Sequence, residues 1–208
     1  MIASAINRKL EVLSKQRSLF HSEADFQHAL AWILHQDAPE RVVRLERPFR
    51  FEGECVYLDL FVREPSGHRL AIELKYKTRK EIVFHEEEEF RLKNQGAQDL
   101  ARYDFLWDVS RLEKLVDRDE ADAGCAIFLT NDPTYWKESK RAESIDAQFR
   151  LHEGRGVTGR LTWQGKPQEG TIKNRKDPIV LRGAYSSAWQ NYSTTEQSEF
   201  RYLLWTVD

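Results

Sequence analysis

The chain contains 208 residues, of which 40% are hydrophobic and 12% aromatic, and its formal net charge is −2. This length and composition exclude a disordered chain and are sufficient for one α/β domain with a sizeable core. The small net charge excludes a global basic field that would attract nucleic acid to the whole surface.

Cysteine usage and the longest apolar run indicate the compartment. Cys55 and Cys125 lie far apart and match no metal-binding spacing, so buried free thiols in a reducing cytoplasm are expected. The longest apolar run, about Ala29–Leu34, is much too short to span a bilayer, and the N-terminus has no signal-peptide pattern. A soluble cytoplasmic protein with no membrane partner is therefore expected.

Two helices are predicted at the start of the chain. Apolar residues recur at helical spacing across residues 1–20. Ser22 followed by Asp25 resembles a capping box, and the helix that it begins is predicted to reach about His35. Glu23, in the first turn of that helix, also suits the positive end of the helix dipole without any further role.

A first strand is predicted over Val42–Phe51. Arginines recur along it at a spacing that would suit contacts with a phosphate backbone, although a solvated sheet edge explains them equally well. They are Arg41, Arg44, Arg47 and Arg50.

The most informative stretch is Val56–Lys77, which predicts two strands joined by a tight turn. Apolar and polar residues alternate on both sides of the turn, which is the period-two pattern of strands. Pro65 and Gly67 suit successive positions of a three-residue hairpin loop centred on Ser66.

A hairpin centred on Ser66 pairs Leu60 with Ile72 and places Asp59 opposite Glu73. Lys75 then points to the same side of the sheet as Glu73. Opposed carboxylates repel unless they are solvated, protonated or bridged by a cation. Oxygen ligands of this kind suit Mg²⁺, and a nearby ammonium can stabilise developing negative charge. The alternative is an ordinary solvated hairpin face.

These residues resemble the PD-(D/E)XK nuclease superfamily, in which an Asp on one strand is followed by Glu-x-Lys on the next. Leu58 stands where the motif has its Pro, and the remaining positions are Asp59, Glu73 and Lys75. The resemblance implies an α/β fold with a restriction-endonuclease-like core, a mixed central sheet flanked by helices. It also implies metal-dependent hydrolysis of phosphodiester bonds in DNA, with Asp59 and Glu73 holding Mg²⁺ or Mn²⁺ and Lys75 orienting the attacking water.

The resemblance extends to two further catalytic positions. In the superfamily the helix before the hairpin often donates an acid to the metal site, which implies Glu23 as a third metal ligand. Several branches place a Gln on the helix after the Glu-x-Lys strand, which implies a role for Gln98. Tyr103 follows Gln98 by five residues, whereas one such branch has a spacing of four.

Basic residues directly after the hairpin are predicted to contact nucleic acid at the mouth of the site, namely Lys77, Arg79 and Lys80. The following acidic run, Glu86–Glu89, is interpreted as a solvated helix start. Phe90–Val116 is predicted to be helical, with a break near its middle.

The next apolar segment, Gly124–Asp132, predicts a strand that is buried on both faces and parallel to a neighbour. Tyr135–Ala147 is predicted to be another helix, and Phe200–Val207 a closing strand. The order of elements is the one that the superfamily core requires.

Residues 148–198 predict a β-rich basic insertion or extension within a single domain spanning residues 1–208. Its nucleic-acid contacts are expected at Arg160, Lys173, Arg175 and Lys176. Aromatic residues interleave with these bases, and base stacking or a small aromatic core of the extension itself would explain them. They are Trp163, Tyr185, Trp189 and Tyr192.

The sequence therefore predicts a magnesium-dependent deoxyribonuclease, most simply an endonuclease with DNA as its partner, and it leaves a homodimer open. One alternative is a catalytically inactive nuclease-fold module that binds nucleic acid or a protein partner. A surface-charged structural subunit is a further alternative, and it predicts no salt-sensitive DNA binding.

Overall fold

The computed structural model describes residues 2–51, 53–141, 143–170 and 172–208, with the backbone alone for residues 2–4 and 51. Its helices are α1 (Ile2–Gln16), α2 (Glu23–Asp37) and α3 (Gln98–Asp117), with a short 3-10 turn at Ala147–Phe149. Its strands are β1 (Val42–Phe51), β2 (Glu54–Arg63), β3 (Arg69–Lys77), β4 (Glu81–His85), β5 (Glu88–Leu92), β6 (Ala123–Thr130), β7 (Gly156–Leu161), β8 (Ile179–Ser186), β9 (Gln190–Thr194) and β10 (Glu199–Val207).

A mixed six-stranded sheet, ordered β1-β2-β3-β6-β10-β9, forms the centre of the molecule. Its β3 and β6 are parallel, and the other neighbouring pairs are antiparallel. Two short hairpins, β4–β5 and β7–β8, form separate two-stranded sheets. The prediction of a mixed α/β fold with a β-rich C-terminal region is confirmed.

Parallel pairing of β3 with β6 follows from the helix between them, because parallel strands need a long crossover connection. All residues of β6 are buried, as its apolar sequence predicts. Gly124 allows α3 to approach β6 closely, since a Cβ at this position would lie 3.0 Å from Leu112 Cβ. This contact sets the helix directly above the strands that carry the candidate site.

Helices cover both faces of the sheet. On one face, α1 and α2 pack their apolar sides over residues such as Leu60 and Ile72. On the other face, α3 and the β7–β8 hairpin cover Phe128 and Trp205. The N-terminus of α2 is capped as predicted, because the Ser22 hydroxyl accepts a hydrogen bond from Asp25 N at 3.2 Å.

The central hairpin has the predicted register as far as Leu60 opposite Ile72, but the predicted Asp59–Glu73 pair lies beyond the end of the ladder. Its turn is closed by Glu64 N donating to the His68 carbonyl at 2.8 Å, and Gly67 has a φ of +90°. The β2–β3 ladder ends at the Leu60–Ile72 pair, so the two strands separate on the side away from the turn. That separation creates the space in which the candidate site lies.

The predicted helix over Phe90–Val116 is wrong in its first part. The helix start predicted at Glu86–Glu89 is also wrong, because Glu86 and Glu87 form the turn of a hairpin and Glu88 and Glu89 begin β5. Glu86 and Glu87 have φ values of +48° and +66°, which suit a turn rather than a helix. Phe90 and Leu92 are both buried with period two, as in a strand. The helix begins at Gln98 and continues without a break.

The helix predicted over Tyr135–Ala147 is also wrong in the part of this segment that the structure describes, which omits Ala142. Tyr135 and Trp136 are buried, but the backbone forms turns rather than a continuous helix. Asp146 at its end is held by an ion pair to Arg102 of α3, at 2.6 Å, so tertiary contacts shape this segment.

Aromatic side chains of the C-terminal region pack into the core. Trp189 and Tyr192 are buried. Trp163 stacks on Tyr103 with ring centroids 5.6 Å apart. Tyr185 stacks on Trp205 of β10 with ring centroids 5.0 Å apart. These contacts support the aromatic-core alternative and leave the rings covered rather than presented for base stacking.

The two cysteines have different environments. Cys125 is buried within β6, as predicted, whereas Cys55 is exposed near the start of β2. The prediction of a buried Cys55 is wrong because this end of β2 extends beyond the cover of the helices. No helix in the described part of the chain is long and apolar enough to cross a membrane.

Candidate active site

The gap between β2 and β3 is filled by two carboxylates. Asp59 Oδ2 accepts a hydrogen bond from Leu74 N at 2.6 Å, and Glu23 Oε2 accepts one from Tyr76 N at 2.7 Å. Beyond Ile72, β3 no longer pairs with β2, and these two carboxylates accept the hydrogen bonds that a β2 backbone would otherwise accept. Buried backbone donors need such acceptors. Both carboxyl groups are thereby fixed at the edge of β3.

A second polar contact holds the backbone of Asp59. Gln27 of α2 donates to the Asp59 carbonyl and to Glu46 Oε1, in both cases at 2.7 Å. Glu46 lies on β1 with a φ of +50°, which is uncommon for a residue other than glycine. The sequence does not reveal Gln27 or Glu46, because their roles depend on packing between α2 and the sheet.

Glu73 and Lys75 project from β3 toward α3, where they meet Asp108 and Arg111, which lie one helical turn apart. The Lys75 ammonium contacts the Asp108 carboxylate. Arg111 Nη2 lies 3.0 Å from Glu73 Oε1, and its Nη1 lies 3.3 Å from Asp108 Oδ1. Together with Asp59, whose negative charge acts on Glu73, these residues form what we term the Glu73 cluster.

Two carboxylate oxygens of the Glu73 cluster have no hydrogen bond among the described residues, Glu73 Oε1 and Asp108 Oδ2. Each lies in an ion pair, the first with Arg111 and the second with Lys75. Glu73 is 3% exposed, and within the described residues its Oε1 has no hydrogen-bond partner. The nearby Arg111 Nη2 donates instead to the Tyr57 carbonyl at 2.8 Å. A buried carboxylate oxygen in this state is uncommon and indicates either strain or room for a further positive ligand.

Two acids of the cluster, Glu73 and Asp59, have raised pKa values. Burial raises the pKa of Glu73 well above its ordinary value, and the charges of Asp108 and Asp59 raise it further, against the opposite effect of Arg111 and Lys75. Burial also raises the pKa of Asp59, although the hydrogen bond from Leu74 N opposes this. Three carboxyl groups therefore share two cationic side chains, and an added cation would favour their ionised forms.

The surroundings of Lys75 favour its charged form. Burial lowers its pKa, but the carboxylates of Asp108, Glu23 and Glu73 outweigh burial, and the pKa is raised above its ordinary value. The side chain is therefore a fixed ammonium at neutral pH. Such a group can stabilise negative charge on a bound substrate.

The donor set partly fits a divalent cation. Asp59 and Glu73 supply carboxylate oxygens close enough to raise the pKa of Glu73, and hard cations take such ligands. No group of three or more His, Cys, Asp or Glu side chains among the described residues is arranged to hold a metal ion. Glu23 lies 3.8 Å from Lys77 Nζ and is bound to the β3 backbone, so its role as a third ligand stays a prediction.

Gln98 lies apart from the Glu73 cluster. It is the first residue of α3 and donates to Asp132 Oδ2 at 3.0 Å. Ten residues separate it from Asp108, which corresponds to about 15 Å along the helix. The structure therefore does not bring Gln98 together with Asp59, Glu73 and Lys75.

The basic residues predicted to contact nucleic acid fall into two groups. Lys77 and Arg175 line one cavity of about 220 Å³ beside the start of α3. The Arg175 guanidinium also donates two hydrogen bonds to the Asp104 carboxylate, at 2.6 and 2.8 Å. Lys176 is exposed, and its Nζ lies 3.6 Å from Glu169 Oε1. The remaining four are exposed: Arg79, Lys80, Arg160 and Lys173.

Asp108 and Arg111 were not predicted from the sequence. Their signal is an acid and a base three residues apart within an otherwise apolar helical pattern, but ordinary solvated pairs have the same spacing. Only the position of α3 over β3 shows that this pair is buried.

The Glu73 cluster therefore joins two oxygen ligands, an ammonium and a guanidinium in one largely buried place. Such a combination can bind a divalent cation and stabilise an anionic substrate. Comparisons with protein-family models, curated proteins and solved structures find no match for this chain. Function is consequently inferred from the chemistry of these groups.

Proposed function

We propose that this protein is a metal-dependent nuclease that hydrolyses phosphodiester bonds in DNA, most simply as an endonuclease. The observation that carries the proposal is the convergence of Asp59, Glu73 and Lys75 where β2 and β3 separate. The order α2, β1, β2, β3, α3, β6 around a mixed sheet, interrupted by the β4–β5 hairpin before α3, supports a restriction-endonuclease-like core.

Asp59 and Glu73 would hold Mg²⁺ or Mn²⁺, with Glu23 as the further ligand that the resemblance implies. When bound, such an ion supplies a water of lowered pKa and polarises the scissile phosphate. Asp59 is oriented for this by the hydrogen bond from Leu74 N, and a cation at Glu73 Oε1 would take the position that the Arg111 guanidinium now occupies, 3.0 Å away.

Lys75 would stabilise the negative charge that develops on the phosphate oxygens. Its ammonium is held by Asp108, and its Nζ also lies 3.2 Å from the Leu74 carbonyl, so little reorganisation is needed. Preorganised charge of this kind contributes strongly to catalysis in a site that excludes water. Asp108 is thereby a positioning residue.

A second candidate is a nuclease-fold module that binds nucleic acid without cleaving it. The observation in its favour is that both cations of the Glu73 cluster are already paired, Arg111 with Glu73 and Lys75 with Asp108. The described residues also contain no three-ligand group for a metal. Such a module would bind DNA in a salt-dependent way and leave it intact.

Cleavage of supercoiled plasmid in the presence of Mg²⁺ separates the two candidates. The wild-type protein is expected to nick the plasmid, and Asp59→Asn and Lys75→Met are expected to lower the rate by about 10²–10³-fold. Lys93→Met is the matched control, because Lys93 is an exposed lysine of the same region.

Either of two results would contradict the proposal. One is that Asp59→Asn or Lys75→Met cleaves at the wild-type rate while folded. The other is that the wild-type protein binds plasmid but does not cleave it with Mg²⁺ or Mn²⁺, which would favour the binding module. Thermal melting of each variant excludes loss of folding as the cause.

A further inference from the structure

A cavity of about 580 Å³ opens at the start of α3, outside the Glu73 cluster. The first turn of α3, the segment that follows β6 and residues 144–150 surround it. The basic side chains that line it are Arg102, Lys137, Arg141 and Arg150. The acidic ones are Asp99, Glu138 and Asp146.

The floor of the cavity contains a buried excess of positive charge. Arg102 Nη1 donates to Asp146 Oδ2 at 2.6 Å, and Arg150 Nε lies 3.3 Å from the same oxygen. The side chains of Arg102 and Asp146 are 6% and 7% exposed. Within the described residues neither arginine Nε has a hydrogen-bond acceptor. One carboxylate thus faces two guanidinium groups, which leaves this floor short of negative charge.

Arg102 is also fixed in place. Its Nη2 donates to the Thr134 carbonyl at 2.8 Å, and its guanidinium carbon lies 5.2 Å from the centroid of the Tyr135 ring. A charged group held in this way loses little conformational entropy when an anion binds next to it. The floor is therefore preorganised for a ligand rich in oxygen acceptors.

The rim of the cavity adds two exposed cations. No ion pair joins Lys137 or Arg141 to another part of the chain that the structure describes, and both are exposed. The opposing acids are an exposed Glu138 and Asp99, whose Oδ1 accepts a hydrogen bond from the next backbone N–H at 2.9 Å. The modest surplus of positive charge suits one phosphate group rather than a long polyanion.

The position of the cavity relates it to the Glu73 cluster. Arg102 precedes Asp108, the partner of Lys75, by six residues, which corresponds to about 9 Å along α3. Six residues also rotate an α-helix by about 240°, so Arg102 and Asp108 project from different sides of α3.

We propose that this cavity binds a phosphate group of a nucleic-acid strand, with Arg102 and Arg150 below the phosphate and Lys137 and Arg141 at the rim. The role as part of a substrate site rests on the proposed function, whereas the binding itself can be tested without cleavage. The phosphate comes from one of two sources, a phosphodiester within the strand or a phosphomonoester at its end.

The test is binding of a single-stranded oligonucleotide of about 12 residues, labelled at its 3′ end and measured by fluorescence anisotropy in EDTA. The double variant Lys137→Gln/Arg141→Gln removes the rim cations and leaves the buried floor intact. Its affinity is expected to fall roughly tenfold, and the slope of log affinity against log salt to decrease by about 1.4. Lys140→Gln is the matched control, since Lys140 is an exposed lysine of the same segment that does not line the cavity.

Two oligonucleotides, with and without a 5′-phosphate, distinguish the sources. Stronger binding of the phosphorylated one, lost in the double variant, identifies a terminal phosphate, and equal binding identifies an internal phosphodiester. The proposal is overturned if the double variant keeps wild-type affinity and salt slope, if Lys140→Gln loses as much, or if the wild-type protein does not bind. Binding that survives in EDTA when no cleavage occurs with Mg²⁺ would contradict the nuclease proposal alone.

Discussion

Glu113 of α3 and Glu73 of β3 are equally buried, but their hydrogen bonding differs. Glu113 and Glu73 are each 3% exposed. Glu113 accepts hydrogen bonds from Arg182 N, Gly183 N and the Tyr185 hydroxyl, at 2.8, 2.7 and 2.7 Å. Glu73 has an oxygen with no hydrogen bond among the described residues and lies beside other acids. Burial alone therefore does not distinguish the two carboxylates, whereas their hydrogen-bond partners and neighbouring charges do.

The partners explain the difference. The donors to Glu113 include two backbone N–H groups of β8, so this carboxylate fixes the C-terminal hairpin on α3 and is itself fully satisfied. Glu73 is instead balanced by Arg111 and Lys75, which are side-chain charges rather than backbone donors. A cation or an anionic substrate could alter the second arrangement without unfolding the protein.

The largest expected difference between the two glutamates is in cleavage of DNA. Glu73→Gln removes a proposed metal ligand and is expected to lower the Mg²⁺-dependent cleavage rate by about 10²–10³-fold. Glu113→Gln removes a charge of equal burial on the other side of α3 and should keep the wild-type rate per folded molecule. Plasmid nicking by both variants measures this, and equal losses would contradict the assignment of Glu73.

Stability should show the reverse order. Glu113→Gln turns an amide group toward backbone donors, so at least one buried N–H loses its acceptor, at a cost of about 2–3 kcal/mol in unfolding free energy. Glu73→Gln relieves repulsion among acids and is expected to change stability by less than about 1 kcal/mol at neutral pH. Urea denaturation of both variants gives these values, and a larger loss for Glu73→Gln would reverse the structural interpretation.

A smaller effect, on Mg²⁺ affinity, is expected for Arg111, whose guanidinium lies beside Glu73 where a metal ion would bind. Arg111→Gln removes this competitor, so Mg²⁺ should bind about tenfold more tightly, a difference of about 1.4 kcal/mol. Titration calorimetry with MgCl₂ measures the affinity directly. Arg91→Gln, at an exposed arginine that pairs with Glu89, serves as the control. Unchanged or weaker Mg²⁺ binding in Arg111→Gln would show that the guanidinium and the ion do not compete.

The smallest expected effect is a change in how stability depends on pH. The pKa of Glu73 is raised above its ordinary value of 4.5. At pH values between 4.5 and the raised pKa, the folded state therefore binds more protons than the unfolded state. The unfolding free energy should therefore rise as the pH falls through this window and decline as the pH rises. Urea denaturation at several pH values should show a shallower dependence in Glu73→Gln, and the same slope as in the wild-type protein would contradict the raised pKa.

Much of the central hairpin was predictable because its information is local. Alternation fixed both strands, Pro65 and Gly67 fixed the turn, and the turn fixed the register that pairs Leu60 with Ile72. The buried strand β6 was equally clear from its continuous apolar run. Where local signals conflicted, prediction failed, as at Glu86–Glu89, where acids suit a helix start but the neighbouring residues alternate as strands.

By itself the sequence determined the mixed α/β character, the strand pairing of the hairpin and the presence of Asp59, Glu73 and Lys75 on neighbouring strands. Tertiary structure alone decided that Asp108 and Arg111 meet these residues and that one oxygen of Glu73 lacks a hydrogen bond. The reason is that short-range periodicity sets which face a side chain occupies, whereas the partner on that face comes from an element distant in the chain.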